Sequence, residues 1–274
     1  MSDPAGPVPY ARTNPTPEPA PLRRHHLLQT IHTRLRPRTY FEIGVRKGRS
    51  LTLSRVPSVG VDPFFEVTRE LHSDLHLVRT TSDEFFARRH PFAHFERPVV
   101  DLAFIDGMHL AEFALRDFIN TERYCHPGSV IVIDDVLPRS VVEGGRGRVG
   151  EADGGAWAGD VYKVVDALRA HRPDLVVLEL DTQPTGTLVI LLPDPADTSL
   201  VTAYDALVPE FVVPDPQTVP DWALTRSRAI DPSVLLDAPV WDELRAARER
   251  PHAEARASLV AAFGRAGLVG GSGR

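Results

Sequence analysis

The sequence predicts an α/β fold: a doubly wound, mostly parallel sheet that ends in an antiparallel hairpin and is followed by a helical C-terminal appendage. Three observations carry this. Five short apolar runs alternate with stretches of helical length and periodicity, the pattern of strands joined by crossover helices that cover both sheet faces. Two further apolar runs come late in the chain. Only "DTQPTG" separates them, and a helical crossover needs at least about ten residues, so these two strands must pair antiparallel.

The elements follow in order. Residues 1–21 are Pro-rich with polar residues between, so backbone pairing is blocked and little apolar area offsets ordering; they read as a disordered tail. "LRRHHLLQTIHTRL" is a helix that opens a domain spanning 22–212. Strands then occur in "TYFEIG", "SVGVD", "LHLVR", "VVDLAFID" and "SVIVID", and after the fourth Leu110, Phe113, Ala114 and Phe118 recur on one helical face. "VYKVVDALRAHR" is a helix stopped by Pro173, and "DLVVLEL" and "TLVILLP" complete a seven-stranded, Rossmann-like sheet. From Val213, Pro-rich connections and helical stretches near Val234 to Arg248 and His252 to Phe263 form the appendage, 213–274, with "GLVGGSGR" a frayed end.

Composition narrows the function. The 274 residues are 42% apolar, enough for a sizeable core, and the formal charge of −6 gives no basic field for nucleic acid or an anionic membrane. Recognition of an acid must be local. Cys125 is the only cysteine, which excludes an internal disulfide and fits a cytoplasmic setting. No run approaches the roughly 20 apolar residues of a membrane helix, nor is there an apolar signal core. The terminal helices, if amphipathic, need something to bury them, which makes a homo-oligomer plausible.

In an open parallel sheet, ligands sit beyond the carboxyl ends of the strands. The first strand runs into "FEIGVRKGRS", where Glu42, Gly44, Gly48 and Ser50 form either a tight structural turn or a loop that lets a ligand approach the backbone. Asp62 ends the second strand, as a solvated cap or as acceptor for ribose hydroxyls. In "TTSDEFF", Ser82 and Asp83 read as a helix cap that could also touch an adenine. Asp106 closes the fourth strand, and Asp134 with Asp135 closes the fifth. Three carboxylates meeting at one place repel without a cation, and hard oxygen ligands suit magnesium, manganese or calcium. His109, three residues after Asp106, can face the same cavity and, as a neutral imidazole, accept a proton. The Gly-rich segment 144–163 overhangs it. There Trp157, Asp160, Tyr162 and Lys163 either close over a polar acceptor or form an N-capped helix start with Trp157 packed on it; His126, Arg139 and Arg148 are weaker candidates.

With "EIGVRKGRS", "VGVDP", "FIDGMH", "PGSVIVIDD" and the hairpin, residues 39–193 resemble the class I S-adenosylmethionine-dependent methyltransferases. They look closest to metal-dependent sugar O-methyltransferases of natural-product biosynthesis, of the macrocin and mycinamicin type. The resemblance implies Mg2+ (or Mn2+) on Asp106, Asp134 and Asp135, His109 as base with Asp106 as its catalytic partner, and Asp106 among the cofactor-binding residues too. It also implies Glu42, Gly44, Gly48 and Ser50 at the methionine of the cofactor, Asp62 at the ribose, and Ser82 and Asp83 beside the adenine. The acceptor is then a small saccharide or glycoside. Arg46 departs from the pattern, standing where many relatives carry a second glycine. Two other functions compete. A nicotinamide-dependent oxidoreductase or epimerase would prefer G-x-G-x-x-G after the first strand, which is absent; a non-catalytic cofactor-binding accessory protein would keep the sheet without the chemistry.

Overall fold

The computed structural model describes residues 21–148 and 156–269; the tail at 1–20 and the last residues of the frayed end, 270–274, lie outside them, as does 149–155 of the Gly-rich segment. The strands are β1 (Tyr40–Ile43), β2 (Ser58–Val61), β3 (Leu75–Val78), β4 (Leu102–Ile105), β5 (Val130–Asp134), β6 (Val176–Leu180) and β7 (Thr187–Leu191). They form one seven-stranded sheet in the order β3-β2-β1-β4-β5-β7-β6. The first five are parallel, and β7 runs antiparallel between β5 and β6, as the short connection requires.

Register places the site. Ile43 lies beside Val61 on one side and Ile105 on the other, and Ile105 beside Ile133. The next residue along each strand is therefore Gly44, Asp62, Asp106 or Asp134. These four stand in one row across the sheet at its carboxyl edge.

Alternate residues of each strand feed two cores. Phe41, Ile43, Ala103, Ile105, Ile131 and Ile133 belong to one. It is covered by α1-independent helices α2 (Ser82–Phe86), α3 (Ala111–Glu122), α4 (Lys163–His171) and α5 (Ser199–Phe211), α1 being Arg24–Leu35. The buried face of α3 is Ala111, Ala114, Leu115 and Phe118; Leu110 and Phe113, expected on it, are half-buried. Helix α5 went unread in the sequence, although Leu200, Tyr204, Leu207 and Phe211 recur at helical spacing.

Tyr40, Leu102, Phe104, Val130 and Val132 face the second core, where the C-terminal segment packs from Ile230 onward, while Val219, Trp222 and Ala223 join the first core. Leu235, Leu236, Trp241, Leu244, Leu259 and Phe263 pack there with Leu27, Leu28, Ile31 and Leu35 of α1. Residues from 230 onward thus form a layer over the sheet's second face, which has little other cover, and those before it pack on the first face. The stretch expected near Val234 to Arg248 is two helices, α7 (Pro232–Leu236) and α8 (Trp241–Ala247), interrupted around Pro239, after the short α6 (Asp221–Leu224). Helix α9 (His252–Arg265) closes the layer. These helices bury most of their apolar residues within the chain, and Val234 and Val260 are exposed. Among the described residues, no helix is long and apolar enough to cross a membrane.

Candidate active site

At the end of β1 the backbone decides the geometry. Gly44 has φ +91°, and a Cβ there would lie 1.8 Å from the carbonyl oxygen of Asp106, so only glycine lets β1 and β4 meet at this edge. The following loop bends through Arg46 (φ +45°) and Gly48 (φ +71°). Arg46 thus adopts the left-handed conformation that a glycine would take more readily, and its N–H donates to Asp62 Oδ2 at 2.7 Å. Asp62 Oδ1 accepts from the Phe64 N–H at 2.6 Å. The acid expected at the ribose therefore also ties the β1 loop to the β2 turn.

Glu42 does not reach the cavity. It is fully buried, accepting from the Tyr40 hydroxyl at 2.6 Å and from Ser50 Oγ at 2.8 Å. Burial pushes its carboxyl up to about 8 against the pull of those two donors. Its role is to hold the loop from beneath. Ser82 and Asp83 also miss the cavity: they lie in the first turn of α2, where Thr81 is the cap in a reciprocal box with Glu84, and Asp83 pairs with Arg116 at 2.6 Å.

The cavity above this edge measures about 480 Å³. Gly44, Ser50 and Asp62 line it on the β1–β2 side, and Asp106, His109 and Trp157 on the β4 side. Asp106, His109 and Asp135 bring ligand-type atoms within 4.8 Å of one another. His109 sits between the carboxylates, Nε2 donating to Asp106 Oδ1 at 3.1 Å; Nδ1 donates to the Trp157 carbonyl and is also 3.1 Å from Asp135 Oδ2. With that proton directed at Trp157, Asp135 Oδ2 is buried without a hydrogen bond, while its other oxygen accepts from the Thr185 hydroxyl. Burial lowers the affinity of His109 for a proton, but the Asp106 hydrogen bond and the charges of Asp135 and Asp106 outweigh it and raise the pKa to about 9. Held in this way, His109 keeps its proton to higher pH than an ordinary imidazole, whereas the sequence predicts a neutral one. His109 (φ +57°) and Asp135 (φ +65°) both have left-handed backbones, a conformation costing non-glycine residues about 1–3 kcal/mol each, which surrounding contacts must offset.

Asp134 is engaged differently. Its carboxylate accepts from the Arg24 guanidinium, which also lies 3.9 Å from Asp106. Burial, Asp135 and Asp106 push the Asp134 carboxyl up, and Arg24 pulls it back. The expected trio of acidic ligands is thus divided: Asp106 and Asp135 share His109, and Asp134 has Arg24. Arg24 is not among the residues that the sequence predicts at this site. A signal existed, since Arg24, His25 and His26 crowd the positive end of a helix with no acid in its first turn, an arrangement that calls for carboxylates nearby.

The segment after 155 supports His109 instead of reaching out to an acceptor. Trp157 stacks on the His109 ring with centroids 5.1 Å apart, and its Nε1 donates to the Gly145 carbonyl at 2.8 Å. A Cβ on Gly159 (φ +65°) would lie 1.7 Å from the His109 carbonyl oxygen. Asp160 is fully buried and caps α3: it accepts from the Ala111 N–H at 2.8 Å, from Arg146 at 2.7 Å and from Lys163 at 2.9 Å. Lys163 also donates to the Phe211 carbonyl and to Gln217. The Tyr162 ring is buried, its hydroxyl without a hydrogen bond. None of the three lines the cavity: Asp160 and Lys163 are engaged by the loop's own charges and caps, and the Tyr162 ring is buried. His126 pairs with Asp101 at 2.9 Å and Arg139 with Glu143 at 2.6 Å, both away from the cavity, whereas Arg148 lies over the Trp157 ring at 4.6 Å.

Residues 41–136 match a family model described as a methyltransferase domain, a span from β1 to just past β5. No curated protein matches the sequence. Solved structures similar to the chain include the O-methyltransferase TomG from Streptomyces achromogenes, involved in tomaymycin synthesis and solved with SAM, at 17% identity over 62% of this chain and 79% of that one, TM-score 0.42. Another is the SAH-bound methyltransferase PaMTH1 of Podospora anserina, at 15% identity over 61% and 76%, TM-score 0.41. The O-methyltransferase from Bacillus cereus in complex with SAH shares 15% identity over 61% and 79%, TM-score 0.40.

Proposed function

We propose that this protein is an S-adenosylmethionine-dependent O-methyltransferase whose acceptor is a hydroxyl of a sugar or glycoside. The observation that carries the reading is a single cavity with the Gly44–Ser50 loop on one wall and Asp106 with His109 on the other. A methyl donor and a proton acceptor would face each other there.

The residues fit the cofactor. Gly44 leaves backbone open where a side chain would collide, and each Asp62 oxygen keeps a lone pair for a ribose hydroxyl beside the amide it already accepts. S-adenosylmethionine supplies an electrophilic methyl group on a sulfonium. The residues also fit a divalent cation such as Mg2+ or Mn2+: Asp106 and Asp135 are the holding pair, and the unbonded, buried Asp135 Oδ2 is an oxygen in want of one. Bound there, the ion would acidify an acceptor hydroxyl. Asp134 would serve as ligand only after parting from Arg24.

His109 takes the hydroxyl proton once its own charge is not needed to neutralise Asp106 and Asp135. Trp157 and Gly159 fix the ring in position for this, stacking on it and closing against its backbone. Neither Trp157 nor Asp160 contacts the acceptor in this scheme.

Thermal denaturation with S-adenosylhomocysteine or NAD tests the reading. A ligand at one hundred times its Kd stabilises by about 2.7 kcal/mol. S-adenosylhomocysteine raises Tm and NAD does not; no shift with saturating S-adenosylhomocysteine refutes cofactor binding. Asp106→Asn and Asp135→Asn keep that shift and lose methyl transfer, read as a mass gain on candidate glycosides with and without magnesium. Unchanged turnover in both variants removes the metal assignment.

A further inference from the structure

The cavity is far more cationic than the chain around it. The whole sequence carries −6, yet Arg24, Arg46, Lys47, Arg49 and Arg148 all line this one space against two lining carboxylates, Asp62 and Asp106, with Arg24 already held by Asp134 behind them. Those two acids are already occupied. Asp62 accepts from the backbone amides of Arg46 and Phe64, and Asp106 holds His109 and lies near Arg24. Among the described residues, Arg46, Lys47 and Arg49 have exposed side chains and no carboxylate within ion-pairing distance. The field reaches the cavity wall: His25, beside them, is pushed down to about 4 by burial and by the charges of Arg24 and Arg49.

The cofactor does not balance this charge. S-adenosylmethionine carries a sulfonium, an ammonium and one carboxylate, and so adds positive charge to a space that already has an excess. Its single carboxylate can engage one guanidinium. A neutral glycoside would bring no counter-charge to those of Arg46, Lys47 and Arg49 that the carboxylate leaves over. Four of the five basic residues are Arg, whose planar fork pairs with the two oxygens of a carboxylate or phosphate.

We infer that the acceptor carries an oxyanion, a phosphate or carboxylate group, which is seated by Lys47 and Arg49 while its hydroxyl faces His109. This rests on the methyl-transfer reading above and specifies its substrate: a sugar phosphate, a nucleoside-diphosphate sugar or a sugar acid in place of a neutral glycoside.

Isothermal titration of the full chain at low ionic strength tests it, with inorganic pyrophosphate and malonate as probes, each with and without S-adenosylhomocysteine. The wild type binds at least one probe; tighter pyrophosphate binding identifies a phosphate-bearing acceptor and tighter malonate binding a carboxylate. The double variant Lys47→Gln/Arg49→Gln weakens that binding at least tenfold, and higher salt weakens it in the wild type. Arg228→Gln, on the far edge of the sheet and paired with Asp166, leaves it unchanged. No binding of either probe by the wild type, equal binding by the double variant, or binding that saturating S-adenosylhomocysteine abolishes, overturns the inference. Failure of S-adenosylhomocysteine to bind while pyrophosphate or malonate does would sink the methyl-transfer reading and leave the oxyanion seat standing.

Discussion

Replacing Glu42 by Gln isolates the charge of a carboxyl that the fold keeps beneath the β1 loop. Its side chain is fully buried, and burial pushes its pKa from 4.5 up to about 8 although Tyr40 and Ser50 both donate to it. The folded-state value thus lies above the unfolded one, so the native state binds the extra proton. Stability is full below pH 4.5 and falls as pH rises through the interval to 8, then levels off. At about 1.4 kcal/mol per unit, the loss is on the order of 5 kcal/mol. Gln matches the protonated acid in having one acceptor and one donor end, and it has no charge to bury. Urea unfolding at pH 5, 7 and 9 reads the effect. The Gln variant matches the wild type at pH 5 and exceeds it by several kcal/mol at pH 9. A difference that does not change with pH, or a variant that grows weaker than the wild type at pH 9, would show that the two hydroxyl donors outweigh burial and would refute the reasoning.

Gly44→Ala places a methyl group 1.8 Å from the Asp106 carbonyl and so forces β1 and β4 apart at the cavity edge; calorimetry should show S-adenosylhomocysteine affinity reduced at least tenfold. Asp160→Asn leaves Arg146 and Lys163 without their shared buried counter-charge and weakens the cap of α3. It should cost about 3 kcal/mol in urea unfolding, whereas unchanged stability with a raised KM would restore Asp160 as an acceptor contact. Phe263→Ala empties a fully buried position in the C-terminal layer. Its cost should be about 3–5 kcal/mol, and a loss below 1 kcal/mol would show that this layer is peripheral after all.

Much of the frame was legible because it obeys short-range rules. Apolar runs ending in Gly44, Asp62, Asp106 and Asp134 could be aligned at one edge without coordinates, since parallel strands end together where their crossovers begin. The antiparallel finish followed from six residues that cannot hold a crossover. What escaped has no local pattern. Asp160 caps a helix that starts 49 residues earlier, and Arg24 reaches an aspartate 110 residues away. Left-handed backbone at His109 and Asp135 carries no glycine to announce it. The C-terminal layer was misread for a related reason: short helices between prolines look peripheral until the sheet face they cover is known.

The charge balance of the site ties these misses together. From sequence, three carboxylates at one edge demanded a cation, and a metal was the evident candidate. The fold answers part of that demand from its own chain, with Arg24 against Asp134 and the His109 imidazolium between Asp106 and Asp135. The number of acids therefore does not by itself argue for a metal. What still argues for one is a single atom, Asp135 Oδ2, which is buried with no hydrogen bond while His109 directs its proton to Trp157. A divalent ion held by Asp106 and Asp135 would take over the positive charge that His109 now supplies to them. Neutralising those carboxylates from outside would weaken the interactions that raise the His109 pKa, and the ring is already fixed beside the cavity by Trp157 and Gly159.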